Sequence, residues 1–301
     1  MSVPPIVLCA AAAALYALGG RGRVGGTTRS RRWREAAFYA GVLVVAAALE
    51  PPLDTLADTS FAMHMVQHVL LLTVAPPLLV LGRPWPRMWM PFPPDARRAA
   101  ARGIARGSWA APLRLLARVL TRPPAALALL SLTLAVWHVP TLYDAAVANE
   151  GVHVFEHACF LVASLLFWGP LLEAPPVRAR TDHLRRAVWF GLAAVPGWIL
   201  AIVLAYASNP LYPAYAHLAH RAFGLGPLGD QQVGAGVMWV PGSASFLLAF
   251  VYFVYRWLEP GAVEGGAVFR PSVGGLADDA LSLRTVETSR REPRPEELSW
   301  T

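Results

Sequence analysis

The sequence predicts an all-α fold, a bundle of seven helices that span a membrane. Three observations predict it. The 301-residue chain is 55% hydrophobic and only 15% charged, where a soluble domain carries roughly 25% charged residues; its mean hydropathy is +0.43. Apolar stretches of about span length recur along it. All 26 basic residues are Arg, and nearly all fall in alternate connections between those stretches. A disordered chain is excluded, because it would lack this apolar content. Cys9 and Cys159 are the only cysteines, which excludes a disulfide framework and a zinc finger.

The elements follow in order. Residues 3–20 are apolar and uncharged, with no basic residue ahead of them, so they read as a span and not as a secretory signal. Residues 36–53 are a weaker second span, cleanly apolar only as far as Leu49. The third, 61–81, is interrupted by His64, Gln67 and His68, and the fourth, 124–139, ends in Trp137-His138. The fifth, 152–172, contains His153, Glu156 and His157; residues 187–207 and 233–258 complete the set. Pro76-Pro77, Pro196 and Pro241 are expected to kink spans three, six and seven. Between spans three and four, Trp109–Leu120 interleaves Arg114 and Arg118 with apolar residues, the pattern of a helix lying on the membrane. Residues 1–259 therefore read as the membrane domain, and the Gly-, Pro- and charge-rich 260–301 as a disordered cytoplasmic tail.

The arginines set the orientation. Six lie in 21–35, nine in 82–123, four in 174–186 and six from Arg256 onward, while the other set of connections holds only Arg221. The positive-inside rule then places the N-terminus outside and the C-terminus in the cytoplasm. This alternation also supports the weak second span, since deleting it scrambles the pattern. The net charge of +7 is thus a topology signal. Nucleic acid is not an expected partner; anionic membrane lipid is.

On this topology the polar residues gather at the outer side. His64 and His68 open span three, His138 closes span four, and His153 and His157 open span five. Glu50, Asp54, Asp58, Asp230 and Gln231 lie at the same level, and of the eight histidines only His183 is cytoplasmic. Intramembrane polar residues are costly and point to function. His64/His68 and His153/His157 are both i, i+4 pairs, which share a helix face. Two such imidazoles can meet one ion at about 2.0–2.1 Å, with His138 as a further ligand from a third helix. Imidazole suits copper, zinc, iron and nickel alike. Glu156 is a candidate supporting partner for an imidazole N–H, or faces a water cavity of its own. Met238 is a thioether near the outer half. Asp230 and Gln231 support the site or cap the start of span seven. The competing reading of each histidine is an interhelical hydrogen bond.

Four blocks add a resemblance. They are His64-Met65-Val66-Gln67-His68 leading to Ala75-Pro76-Pro77 and Leu81-Gly82-Arg83-Pro84; Trp137-His138-Val139-Pro140 through His153–His157 to Phe167-Trp168-Gly169-Pro170; Pro210-Leu211-Tyr212; and Asp230-Gln231-Gln232 through Met238-Trp239-Val240-Pro241-Gly242. In order and spacing, from about residue 35 to 260, they resemble the CtaG family of bacterial cytochrome c oxidase assembly factors, the type associated with caa-type oxidases. This is not the single-span copper protein of the same name. The resemblance implies a multi-pass protein of the bacterial inner membrane, needed for oxidase maturation, with an oxidase subunit as partner and copper as the handled metal. Its matching positions are His64, His68, His138, His153, His157, Asp230 and Gln231. The 82–123 connection and the tail lie outside the family pattern.

The expectation is an assembly factor, not an enzyme, that holds copper in an outward-facing histidine cluster and yields it to the oxidase by ligand exchange. Two alternatives stay open: a haem-binding membrane cytochrome, with histidines of facing helices as axial ligands, and a metal-free chaperone for oxidase subunits. A transport path has less support, because the inner halves of the spans carry almost no polar groups apart from Glu173 near an inner boundary.

Overall fold

The structure, a computed structural model, describes residues 4–20, 28–176 and 181–259. The expected tail, and Arg21, Arg23, Arg178 and Arg180, lie outside the described residues. Within them every regular element is helical. The long or apolar helices are α1 (Pro5–Gly19), α2 (Thr28–Leu49), α4 (Phe61–Val69) continued by a π-helical turn (Leu70–Val74) into α5 (Ala75–Leu81), α9 (Pro123–Trp137), α11 (Glu150–Leu171), α12 (His183–Tyr206) and α14 (Pro227–Leu258). Short helices connect them: α3 (Leu53–Ala57), α6 (Pro84–Met88), α7 (Pro94–Arg106), α8 (Ala111–Leu120), α10 (Pro140–Ala148) and α13 (Pro213–Ala216).

All seven expected spans are thus helices. Four are long and apolar enough to cross a membrane: Phe61–Leu81, Glu150–Leu171, His183–Tyr206 and Pro227–Leu258. A fifth is added if Ser108–Leu120 and Pro123–Trp137, bent by 85° at their junction, count as one. The bend separates the arginine-bearing α8 from apolar α9. α1 is 15 residues long, short against the roughly 20 that a span needs, and α2 opens on the arginine-rich segment Thr28–Arg34. Large apolar side chains such as Leu43, Leu132, Phe155, Ile199, Leu248 and Val251 point outward and are exposed. Apolar exterior on this scale marks a membrane-facing surface.

Local chemistry explains the helix ends. Ser60 caps α4 by accepting from Met63 N, Asn149 caps α11 by accepting from Val152 N, and Asp182 caps α12 by accepting from Arg185 N. Proline occupies the first turn of α1, α5, α9, α10 and α13, where its missing N–H costs nothing. The π-helical turn directly precedes Pro76-Pro77. Proline at 76 cannot bond the carbonyl four residues back, which is Leu72, and that oxygen instead accepts from Ser164 Oγ of α11. The break expected from the prolines is therefore a π-turn, tied to the neighbouring helix. α14 packs along α12 and α4, α9 pairs with α11, and α2 lies on α5 and α1. Phe61, Met65, Phe160, Phe167 and Phe190 fill the buried core between them.

Two boundaries differ from expectation in ways that matter. α14 starts at Pro227, six residues ahead of the expected span, so Asp230 and Gln231 belong to its first turns. The expected outer loops contain α3, α10 and α13, which their composition did not announce as helices.

Candidate metal centre

The site is assembled around the start of α4. Asp230 of α14 accepts hydrogen bonds from Ser60 Oγ (2.8 Å), Phe61 N (2.7 Å) and Ala62 N (3.1 Å). Its carboxylate satisfies two of the free N–H groups of α4, those of Phe61 and Ala62, and meets the positive end of that helix's dipole. The capping role expected for it is real, but it caps the neighbouring helix. Gly234, one turn further on, lets the helices close: a Cβ there would lie 2.5 Å from the Phe61 ring. Gln231 accepts from Leu211 N (2.7 Å) and donates to Leu204 O (3.0 Å), tying the connection that precedes α13 to the end of α12. Gln67 donates to Ala48 O (2.8 Å) and Asp54 Oδ1 (3.0 Å), fixing the C-terminal end of α2.

So anchored, α4 presents His64 and His68 inward, 2% and 3% exposed. Tyr215 donates its O–H to Ala57 O at 2.7 Å, because a carbonyl can only accept. Burial pushes the Tyr215 phenol well above its ordinary range, so that proton stays. Its oxygen is then the acceptor for His64 Nδ1, 2.8 Å away. The proton of a neutral His64 is thereby on Nδ1, and Nε2 carries a lone pair. That lone pair faces His68 Nε2 at 2.8 Å. His68 Nδ1 is buried without a partner, so wherever the His68 proton sits, this pair keeps an unsatisfied nitrogen. With the His68 proton on Nδ1, the two Nε2 lone pairs face one another, an arrangement that suits a bound cation.

α11 supplies the other half. Glu156, fully buried, places Oε1 3.5 Å from His68 Nε2 and Oε2 3.9 Å from His64 Nε2, and neither oxygen has a hydrogen-bond partner. His157 Nε2 is likewise buried and unpartnered. Donor atoms of His64, His68, Glu156 and His157 all lie within 4.8 Å of one another. Donors of one tetrahedral ion at 2.0–2.1 Å are about 3.3 Å apart, so small side-chain rotations bring these four to a common ion. An isolated buried carboxylate is costly; beside three imidazoles, this one is placed to become the negatively charged donor once a cation binds.

The remaining expected residues surround this group. The His153 ring stands 4.1 Å from His157 and 5.0 Å from His64, and the His138 ring 5.6 Å from His68, between centroids. His138 donates from Nδ1 to Leu134 O (2.8 Å), leaving a buried, unpartnered Nε2. Both lie outside the four-residue group. Met238 is buried beside an apolar cavity that also borders His68, and it contributes no donor to the group. Glu156, expected as a supporting residue, stands among the candidate ligands.

The cluster does not lie in an open pocket. Tyr143 of α10, Tyr212 and Tyr215 of α13 form a buried aromatic cover, with Tyr143 and Tyr212 at 4.1 Å, Tyr212 stacked on Phe61 at 5.0 Å and Tyr143 5.1 Å from His64. The connections that contain α10 and α13 fold over the cluster, and His153, half-buried, is its most exposed member. Asp54 and Asp58 are near enough to act on it electrostatically; burial and its neighbour Asp54 raise the Asp58 carboxyl above its usual range. The sequence reading missed the tyrosines as site residues. Tyr143 and Tyr212 stood inside the quoted blocks, but only the fold shows what they touch.

Fold and site together define a helical membrane protein with a buried histidine–carboxylate cluster between its helices. Residues 14–259 match the family described as cytochrome c oxidase caa3 assembly factor (Caa3_CtaG). The chain belongs to that family. No curated protein matches it, and no solved structure does.

Proposed function

We propose that this assembly factor takes up copper from the outer side of the bacterial inner membrane, holds it at His64, His68, Glu156 and His157, and yields it to a subunit of the oxidase. The observation that carries the reading is the convergence of four buried side chains, from two helices, whose donor atoms lie within 4.8 Å and include unpartnered nitrogens and oxygens. Copper is cargo here. Release needs only exchange of imidazole ligands for those of the client, so no bond-making step within the protein is assigned and the role is not enzymatic. Imidazole and carboxylate donors, with no sulfur in the group, suit Cu(II) better than Cu(I). His153, flanked by Asp54 and Asp58, is the entry point, since acidic side chains raise the local cation concentration. The alternation of arginines along the sequence supports an orientation that puts this entry on the outer surface.

The haem alternative has less support: donors gathered within 4.8 Å suit one ion, whereas axial ligation needs opposed rings with a macrocycle between them. The test is metal content. Purified protein loaded with copper should carry about one ion per chain, and His64→Ala/His68→Ala should carry none while keeping its helical content and melting temperature within a few degrees. Copper retained at full stoichiometry by the folded double variant refutes the ligand assignment. Wild-type protein that binds no copper, yet still supports oxidase maturation, leaves the metal-free chaperone.

A further inference from the structure

The end of the bundle opposite the histidines carries a second built feature. His64 and Gly82 are 18 residues apart along α4 and α5, about 27 Å at helical rise. At Gly82, where α1 ends and α2 begins, a cavity of about 200 Å³ is lined by Arg31, Arg34, Arg83 and Arg87 with Tyr16. Arg87 is only 11% exposed; it is fixed by Nε donating to Tyr16 O (3.0 Å), by Nη1 on Glu35 (2.8 Å), and by its guanidinium 4.1 Å over the Tyr16 ring. The approach requires glycine at 19, because a Cβ there would lie 1.8 Å from the Arg87 carbonyl oxygen. Arg31 donates to the same Glu35 oxygen (2.9 Å) and to Gly20 O (2.6 Å). One carboxylate is thus shared by two guanidinium groups. Arg34 is half-buried, and its guanidinium has no partner among the described residues. Trp33 and Trp85, both exposed, stand at the same end, and exposed tryptophan marks the headgroup level of a membrane.

We propose that this cavity binds a phosphate group, carried by the headgroup of an anionic phospholipid or by free phosphate. Arg31 and Arg87 are held by Glu35 before any ligand arrives, Arg34 adds a positive charge with no carboxylate beside it, and the planar guanidinium matches phosphate oxygens two at a time. Basic pockets between membrane helices on the cytoplasmic side are suited to anionic headgroups. A bound phosphate group bridges the ends of α1 and α2 to α6.

The test uses full-length protein in neutral detergent. Native mass spectrometry after adding phosphatidylglycerol or phosphatidylcholine should show the anionic lipid retained in preference. Arg34→Gln and Arg31→Gln should each weaken that retention about fivefold, while Arg102→Gln on the exposed face of α7, which removes the same charge elsewhere, leaves it unchanged. Thermal melts of each variant confirm folding, and Arg34→Gln, which loses no contact to a described residue, is the one expected to melt as wild type. Calorimetric titration of delipidated protein with inorganic phosphate forms the second arm. Binding there with the same variant dependence supports the site with free phosphate as its ligand. Retention that falls equally in Arg102→Gln, or is untouched by Arg31→Gln and Arg34→Gln in both arms, overturns the proposal.

Discussion

Tyr215 shows how much depends on a single hydrogen bond. By giving its own proton to Ala57 O it becomes the acceptor for His64 Nδ1, which keeps a lone pair on the nitrogen facing His68. Partners of this kind are worth about 10–100-fold in metal affinity. Tyr215→Phe should therefore weaken copper binding by at least about tenfold while leaving the helical content unchanged, as read by competition with a calibrated chelator. His153 has a different part. Since it stands beside the four-residue group and not within it, His153→Ala should slow copper uptake in stopped-flow loading without lowering the final stoichiometry. A fall in stoichiometry to zero assigns it as a ligand instead. The residue scale was also the most legible in sequence. The i, i+4 spacing and a shared depth point to five histidines, because helical periodicity maps spacing directly onto a face; of these, His64, His68 and His157 fall in the four-residue group, and His138 and His153 stand beside it. The rank of Glu156 was not found, since whether a carboxylate points at its neighbours' nitrogens or away from them depends on helix rotation, which spacing does not fix.

At the scale of elements, the site rests on how closely α14 approaches α4. Gly234 leaves no room for a side chain against Phe61, so Gly234→Leu should push the helices apart, displace His64 and His68, and abolish copper binding without changing any ligand. Asp230→Ala removes three hydrogen bonds from the first turn of α4 and should cost about 2 kcal/mol, seen as a lower melting temperature in detergent. Ser164→Ala leaves the Leu72 carbonyl, already released from its helix by Pro76, without its partner; a loss of about 1–3 kcal/mol is expected. The existence of these helices could be read from apolar runs, and the break before Pro76-Pro77 from proline chemistry. The cap of one helix by another could not. Asp230 precedes an apolar run in sequence and so reads as the start of its own helix, while its real partners lie 168–170 residues away. The helical outer connections escaped for a related reason: α10 and α13 are short pieces held by burial of Tyr143 and Tyr215, which local propensity does not report.

For the molecule as a whole, charge and site divide the bundle into two ends. One end carries the histidines, Asp54, Asp58 and the tyrosine cover; the other carries the arginine cavity. The arrangement of arginines predicts that the histidine end faces outward. In a cysteine-free background, single cysteines at Asp58 and at Arg97 should react with a membrane-impermeant maleimide from opposite sides of spheroplasts, Asp58→Cys from outside and Arg97→Cys only after permeabilisation; labelling in the reverse sense would remove the proposed route of copper entry. The arginine end also has an acid-side dependence. Hydrogen bonding to Arg31, then to Arg87, holds the Glu35 carboxyl below its usual range; a lowered folded pKa contributes stability above the unfolded value and loses it as pH falls through the folded one. Glu35→Gln should flatten that acid-range loss. The central claim, though, concerns the other end, and X-ray absorption of the copper-loaded protein tests it most directly. The account predicts one copper per chain with nitrogen and oxygen neighbours at about 2.0 Å, an imidazole scattering pattern that shrinks in His157→Ala, and an oxygen contribution lost in Glu156→Gln. A copper coordinated by sulfur, or a spectrum unchanged in both variants, would contradict it.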